Sequence, residues 1–184
     1  DIAIDSSGNI YVTGKTSGEL DGNTYGGGWG DTILVKYNSS VVKQWTKQIA
    51  TSSNDAGYGV ATDSSGNVFV GGSKSYKFDS SGTQLWTQTI ATMTMAVATD
   101  SSGNSYFMGY TSSSMDSNSN AGGSDVFLVK YNSGGTKQWS SLSGTTSEEY
   151  GKGLSVDSNN NIYLTGHTKG GLDGNTNAGP QPGT

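Results

Sequence analysis

Three loops of this chain carry side-chain oxygens at alternate positions: Asp21-Gly22-Asn23-Thr24-Tyr25-Gly26, Asp116-Ser117-Asn118-Ser119-Asn120-Ala121 and Asp173-Gly174-Asn175-Thr176-Asn177-Ala178. Oxygens spaced this way along a pliable loop can converge on a hard cation such as Ca2+, which is held by several oxygen ligands at once. Asp31 and Asp125 follow the first Asp of their loops by ten and nine residues and could close the cage. The candidate ligands are therefore Asp21, Asn23, Asp31, Asp116, Asn118, Asn120, Asp125, Asp173, Asn175 and Asn177. Tyr25 interrupts the alternation in the first loop, and the last loop has no closing Asp. None of the three has the bidentate Glu of a helix-flanked calcium loop. The same residues also suit solvated Asx turns at strand ends, and both readings stand.

Aromatic chemistry is concentrated nearby. Trp29 sits in a GGGWG loop outside any repeated pattern, and Tyr25 and Tyr58 are expected on the same face. Such a group can stack on a sugar ring or anchor a protein partner. The alternative is an indole folded back over its own sheet. The acidic linkers Asn54-Asp55 and Glu148-Glu149 offer carboxylates for acid/base work, although solvated loop charge is the simpler reading. His167, the single histidine, has no Ser or Cys partner at an elbow motif, so it is not read as catalytic.

The elements that position these loops recur. Asp5-Ser6-Ser7-Gly8-Asn9, Asp63-Ser64-Ser65-Gly66-Asn67, Asp100-Ser101-Ser102-Gly103-Asn104 and Asp157-Ser158-Asn159-Asn160-Asn161 align, with spacings of 58, 37 and 57 residues. Before each turn runs a short apolar strand with a small central residue, namely Ala3, Ala61, Ala98 or Ser155. After it comes a strand with an aromatic centre: Tyr11, Phe69, Tyr106 or Tyr163. DTILVKYN, SYKFD and DVFLVKYN form third strands, and Trp45, Trp86 and Trp139 mark fourth strands beyond Ser/Asn/Gly turns. Units of four short strands repeating at roughly 40–50 residues are the signature of β-propeller blades.

The fold class expected is therefore all-β, a partial propeller of about three and a half four-stranded blades. Blades are expected at 1–49, 60–90 and 96–142, with a partial blade at 153–179 and a tail at 180–184 that departs from the repeat. The loop between second and third strands is long at 15–30 and 111–124 but nearly absent at 73–74. In a meander that loop and the inter-blade linker emerge on one face. That face should be sculpted, with a notch over the second unit, while the turn face stays uniform. An incomplete ring leaves an open edge, so the rest of the propeller is expected from further sequence or from another chain.

Composition narrows the partners. The formal net charge is −5 and only ten residues are Lys or Arg, so no basic stripe exists to displace phosphate counterions, and no nucleic acid is expected. No run is long enough to span a bilayer, so membrane insertion is not expected. Cysteine is absent and no disulfide can form.

IAIDSSGNIYVTGKTSG followed by DTILVKYNSSVVKQW resembles the bacterial SBBP (seven-bladed beta-propeller) repeat proteins, through Asn177. Trp45, Trp86 and Trp139 also resemble the tryptophan-docking motif of quinoprotein-type propellers, in which the Trp packs on the adjacent blade. The resemblance implies a propeller of a secreted or cell-surface bacterial protein and implies no activity. The expected role is a non-catalytic binding or structural scaffold, extracellular or at the cell surface. A protein or glycan partner would sit on the long-loop face near Trp29, Tyr25 and Tyr58, with Ca2+ stiffening the loops. The alternatives are a polysaccharide-acting propeller enzyme, a glycosidase or lyase, and a carbohydrate-binding lectin.

Overall fold

The computed structural model describes residues 1–50, 55–90, 93–177 and 179. The tail at 180–184, together with Asn54 and Ala178 of the loops named above, lies outside the described residues. Among the described residues fourteen strands fall into three four-stranded antiparallel meanders and one two-stranded antiparallel sheet, each in chain order. The first sheet is β1 (Ile2–Ile4), β2 (Ile10–Thr16), β3 (Asp31–Tyr37) and β4 (Lys43–Ile49). The second is β5 (Gly57–Thr62), β6 (Val68–Gly72), β7 (Ser75–Phe78) and β8 (Gln84–Gln88). The third is β9 (Thr94–Thr99), β10 (Ser105–Thr111), β11 (Asp125–Tyr131) and β12 (Lys137–Ser143). The fourth holds β13 (Glu149–Val156) and β14 (Ile162–Thr168). Among the described residues the chain is all-β, in the propeller arrangement, and no sheet closes on itself.

Local chemistry explains the meander. In the first turn of the second sheet, Asp63 Oδ1 accepts the amides of Ser65 and Asn67 at 3.0 and 2.9 Å, and the Gly66 amide returns to the Asp63 carbonyl. The third residue after each Asp is left-handed: Gly8, Gly66 and Gly103 lie at φ 79°, 77° and 76°, and Asn160 takes the same place at 64°. Gly does this at no steric cost, and Asn is among the few other residues that tolerate it. The register then sets the small residue of the first strand against the aromatic of the second, as Ala3–Tyr11, Ala61–Phe69, Ala98–Tyr106 and Ser155–Tyr163.

Sheets stack face to face, and three apolar clusters lie between them. One joins Tyr11 and Leu34 of the first sheet to Val60, Val70 and Tyr76 of the second. Another joins Phe69 to Val97, Phe107 and Val129, and the last joins Tyr106 and Met108 to Leu154 and Ile162. Burying each of these large side chains stabilises the fold by about 1.5–3 kcal/mol. Successive sheets approach most closely around the first strand of the following sheet. There Thr62 Oγ1 donates to the Ile4 carbonyl at 3.2 Å, and Thr99 Oγ1 to the Thr62 carbonyl at 2.8 Å. A Cβ at Gly59 would stand 2.9 Å from the Ala96 Cα, so convergence toward the axis excludes a side chain at that point.

The strands run longer than the sequence pattern suggests, because each first strand after β1 contains a bulge. Tyr58, Met95 and Lys152 are the extra residues, skipped by the pairing of their neighbours. A second bulge precedes each Trp, at Gln44, Leu85 and Gln138.

The turn between third and fourth strands also places one residue left-handed. Gly82 and Gly135 occupy it at φ 83° and 84°, but Val41 occupies the equivalent position at 59°. For a β-branched residue this is strained by about 1–2 kcal/mol. Val41→Gly should therefore raise the thermal midpoint by roughly 2–4 °C, the strain relief exceeding the added unfolded-chain entropy. A melting curve that is unchanged or lowered would show the turn to be relaxed.

Candidate functional site

The turn face is occupied by structural carboxylates. Asp5, Asp100 and Asp157 each use Oδ2 to accept the Nδ2 of the Asn four residues on, at 2.7–2.8 Å. The same oxygen accepts the hydroxyl of Tyr11, Tyr106 or Tyr163 at 3.2, 2.9 and 3.1 Å. Phe69 has no hydroxyl, and there Lys77 Nζ stands 3.7 Å from Asp63. These acids hold turns together and leave no oxygen poised for a reaction.

On the opposite face the three long loops share one backbone device. Asp21, Asp116 and Asp173 lie in the left-handed region at φ 53°, 52° and 51°. The Asp21 carboxylate takes Lys43 Nζ at 2.6 Å and Thr46 Oγ1 at 2.5 Å, and Asp116 repeats this with Lys137 at 2.5 Å and with Ser140. Asn23 Nδ2 donates to the carbonyls of Leu20 and Thr46, Asn118 Nδ2 to those of Met115 and Ser140, and Asn175 Nδ2 to that of Leu172. Asn120 and Asn177 donate to Thr111 and Thr168 carbonyls and accept the amides of Gly122 and Gly179.

Asp31 and Asp125 are placed differently. Both are buried, with Oδ2 accepting Gly26 N at 2.8 Å and Gln48 Nε2 at 2.7 Å in the first loop, and Ala121 N at 2.7 Å in the other. The Oδ1 of each is buried without a hydrogen-bond partner. The loops thus direct Asp21 and Asp116 outward to lysines on the fourth strand, while Asp31 and Asp125 point inward. Among the described residues no three His, Cys, Asp or Glu side chains converge.

Trp29 and Tyr58 do come together. They line a cleft with Lys15, Asp55, Ser73 and Met93. Its floor is the short β6–β7 connection, and the long first loop and the linker before β9 form its walls. Trp29 is 79% exposed. Ser73 Oγ donates to Asp55 Oδ1 at 2.6 Å, and the Asp55 amide donates to the Gly30 carbonyl at 2.8 Å, which ties the wall to the floor. Tyr25, in the same loop as Trp29, does not line this cleft and donates its hydroxyl to the Gly28 carbonyl at 2.9 Å. Sequence reasoning missed Asp55, Lys15 and Met93 as lining groups. The bulge that aims Tyr58 outward had a signal, the Gly57-Tyr58-Gly59 triplet repeated as Gly151-Lys152-Gly153.

The carboxylates of the linker between the third and fourth sheets part ways. Glu149 is buried, accepting the Thr145 amide at 2.6 Å and the hydroxyls of Thr145 and Thr168 at 2.8 and 2.6 Å. Glu148 is partly exposed and paired with Lys169. His167 stacks on Tyr150 with centroids 5.0 Å apart.

Residues 1–21, 44–73 and 138–173 match the SBBP beta-propeller repeat. Those three segments carry the beta-propeller repeat. It is also similar to regulatory protein FlaEY of Caulobacter vibrioides, with 22% identity over 183 residues, covering 97% of this chain and 16% of that protein. The chain therefore spans less than a fifth of the length of that relative. The matched SBBP segments contain the Asp turns of the first, second and fourth units and the linkers Asp55 and Glu149, while Trp29 and the loop around it lie between matches.

Burial by itself would raise the carboxyls of Asp5 and Asp100, but hydrogen bonds from the Asn, Tyr and backbone amides of their turns hold both below the ordinary value. Burial likewise opposes ionisation of Glu149, and Thr168 and Thr145 overcome it. Tyr76 is pushed up to about 12, by burial first and then by the charge of Asp55. A depressed carboxyl stabilises the fold fully above its unfolded value and loses that contribution as protons bind on acidification. The thermal midpoint should hold from neutral pH to about 5 and fall below about 4. In Asp100→Asn, melts across pH should show a lower neutral midpoint and a shallower acid limb; an unaltered limb would remove Asp100 from this role.

Proposed function

We propose that this chain is a non-catalytic binding scaffold whose partner site is the notch over the second blade, in an extracellular or cell-surface protein. The observation that carries this reading is Trp29, which is 79% exposed on a loop whose backbone is tied to Asp55. A large aromatic surface held in place loses little conformational entropy on binding and gains most from desolvation. The recurring acids support the same reading, since those on the turn face serve as turn and strand fasteners. The regulatory role in the name of FlaEY favours a protein as the partner.

A glycan is the second reading, favoured by one feature. Trp29 and Tyr58 offer apolar faces beside the Ser73–Asp55 pair, which matches the apolar faces and hydroxyl edges of a saccharide. Trp29→Ala should weaken retention on a glycan array or on an immobilised protein partner at least about tenfold, while Tyr25→Ala should leave it unaltered. Equal retention by both variants would remove the notch from the proposal. Release of new reducing ends or unsaturated products from a polysaccharide panel would replace the scaffold by an enzyme.

Calcium stiffening of the long loops is proposed through the inward carboxylates, because Asp31 and Asp125 each keep a buried Oδ1 without a protein partner. A ligand that binds only the folded chain stabilises it by mass action. Calcium at about a hundred times its dissociation constant should raise the thermal midpoint by roughly 5–10 °C. The combined Asp31→Asn and Asp125→Asn variant should show no such rise. A calcium-independent midpoint in the unaltered chain would end this part of the reading.

A further inference from the structure

The interfaces between sheets are sealed alike toward the turn face and differ toward the loop face. On the turn side, Lys36 Nζ donates to the Ser80 carbonyl and Lys77 Nζ to the Ser133 carbonyl, both at 2.9 Å. Beside them the indoles of Trp45 and Trp86 lie against Gly82 and Gly135.

On the loop side the repeat brings equivalent residues together. Lys15, Ser73, Tyr110 and His167 each follow the glycine three residues beyond the second-strand aromatic. Ala56 and Tyr150 each precede the first-strand glycine that pairs with that position, as Gly57–Gly72 and Gly151–Gly166. Between the third and fourth sheets the three positions are Tyr110, Tyr150 and His167, and their rings pack together. Tyr150 stands edge-on to Tyr110 with centroids 4.6 Å apart, and 5.0 Å from His167. Between the first and second sheets the same positions hold Lys15, Ala56 and Ser73. Three rings are replaced there by an ammonium, a methyl and a hydroxyl, and all three line the cleft of about 230 Å³ under Trp29.

The charge this exchange leaves accessible is positive. Lys43, Lys77, Lys130, Lys137 and Lys169 pair with carboxylates. Lys15 is exposed and, among the described residues, has neither an ion pair nor a hydrogen bond. Its stem is held in place: a Cβ at Gly30 would stand 2.5 Å from Lys15 Cγ and Cδ, so the bare glycine seats the lysine against the loop that carries Trp29. Asp55, the one acid lining the cleft, is buried and accepts the Ser73 hydroxyl at 2.6 Å.

We propose that the notch takes an acidic saccharide, with one hexuronate unit seated in the cleft. Its apolar ring face lies on Trp29 and Tyr58, its carboxylate meets the Lys15 ammonium, and its hydroxyls meet Ser73 Oγ. This assignment rests on the notch being the partner site and deepens the glycan reading of it. A uronate carries the anion, the hydroxyls and the apolar face on a single ring, as a cleft of this size requires. An acidic peptide side chain joins its carboxylate to methylenes alone and brings no hydroxyl to Ser73.

Calorimetric titration of the full chain tests this with oligogalacturonate, oligoglucuronate and oligomannuronate, each beside its carboxyl-reduced neutral counterpart. At least one oligouronate should bind, its neutral counterpart at least about tenfold more weakly, with the difference shrinking as salt is added. Lys15→Gln should bring the oligouronate down to the level of the neutral sugar, and Lys15→Arg should keep the preference. Trp29→Ala should weaken both sugars at least about tenfold. Absence of binding by every oligouronate overturns the proposal, as does a preference that survives Lys15→Gln. Oligoglutamate binding as tightly as the best oligouronate overturns it in favour of a peptide. Equal, Trp29-dependent binding of acidic and neutral sugars removes the recognition of charge and keeps the notch as the site. Binding indifferent to both Trp29→Ala and Lys15→Gln removes the notch itself.

Discussion

Lys77 is a charged side chain in the interface between two apolar sheets, with a side-chain exposure of 6%. Removing an ammonium from water costs several kcal/mol unless its protons and its charge are both met. Three groups meet them: the Ser133 carbonyl at 2.9 Å, the Asp63 carboxylate at 3.7 Å and the face of Phe69 at 4.9 Å. Two of these belong to its own sheet and one to the next. The lysine is therefore satisfied only when the next blade is seated in one rotation and one height. Apolar contact alone is non-directional and would tolerate sliding; the lysine and the Trp–Gly contact beside it do not.

This constraint divides the sequence into residues that are committed and residues that are available. Asp, Asn and Tyr of the first turn hold the strand ends, and the aromatic of the second strand also forms the floor under the lysine, as with Lys36 over Tyr11 and Lys130 over Tyr106. Where a preceding sheet packs on it, in the second and third sheets, the third-to-fourth turn presents a carbonyl and a glycine together. With these positions fixed in each blade, variation is confined to the opposite face, where loops can lengthen without disturbing the interfaces. The second blade has the shortest loop there, and the notch with Trp29 on its wall follows from that one shortening.

The blade pattern was legible because it is written in local chemistry. A turn that needs Asp, a left-handed residue and Asn announces itself in five residues, and the small–aromatic register across it follows from strand geometry. The notch and the meeting of Trp29 with Tyr58 were legible too, since a meander assigns loops to faces. What was not legible depends on how loops curl in three dimensions. Alternation in the sequence suggested that Asp21 and Asp31 face one another. The left-handed backbone at Asp21 instead turns its carboxylate to Lys43, a residue of the far strand. Tyr25 was expected to join Trp29 on the same face, yet its hydroxyl donates to the Gly28 carbonyl and it does not line the cleft. The bulges were missed because one inserted residue hardly alters a period-two pattern.

The same division explains why this molecule's acidic residues give little chemistry. A carboxylate that accepts two amides, an Asn and a Tyr is favoured in its ionised form and surrounded by donors that cannot move without unfolding the turn. It can neither take up a proton near neutral pH nor reach a substrate. Glu149 shows this outside the turns, held by Thr145 and Thr168 in a buried clamp that joins a linker to the end of β14. The bulges and loops turn side chains of another kind outward: Tyr58 at a bulge, Trp29 at a loop rim, and Met93 in the shortened linker. They are apolar or aromatic, and they sit on a frame whose lysine locks make it rigid. A frame of that kind sets these side chains at defined positions on one face, beside Lys15 and Asp55 of the same cleft.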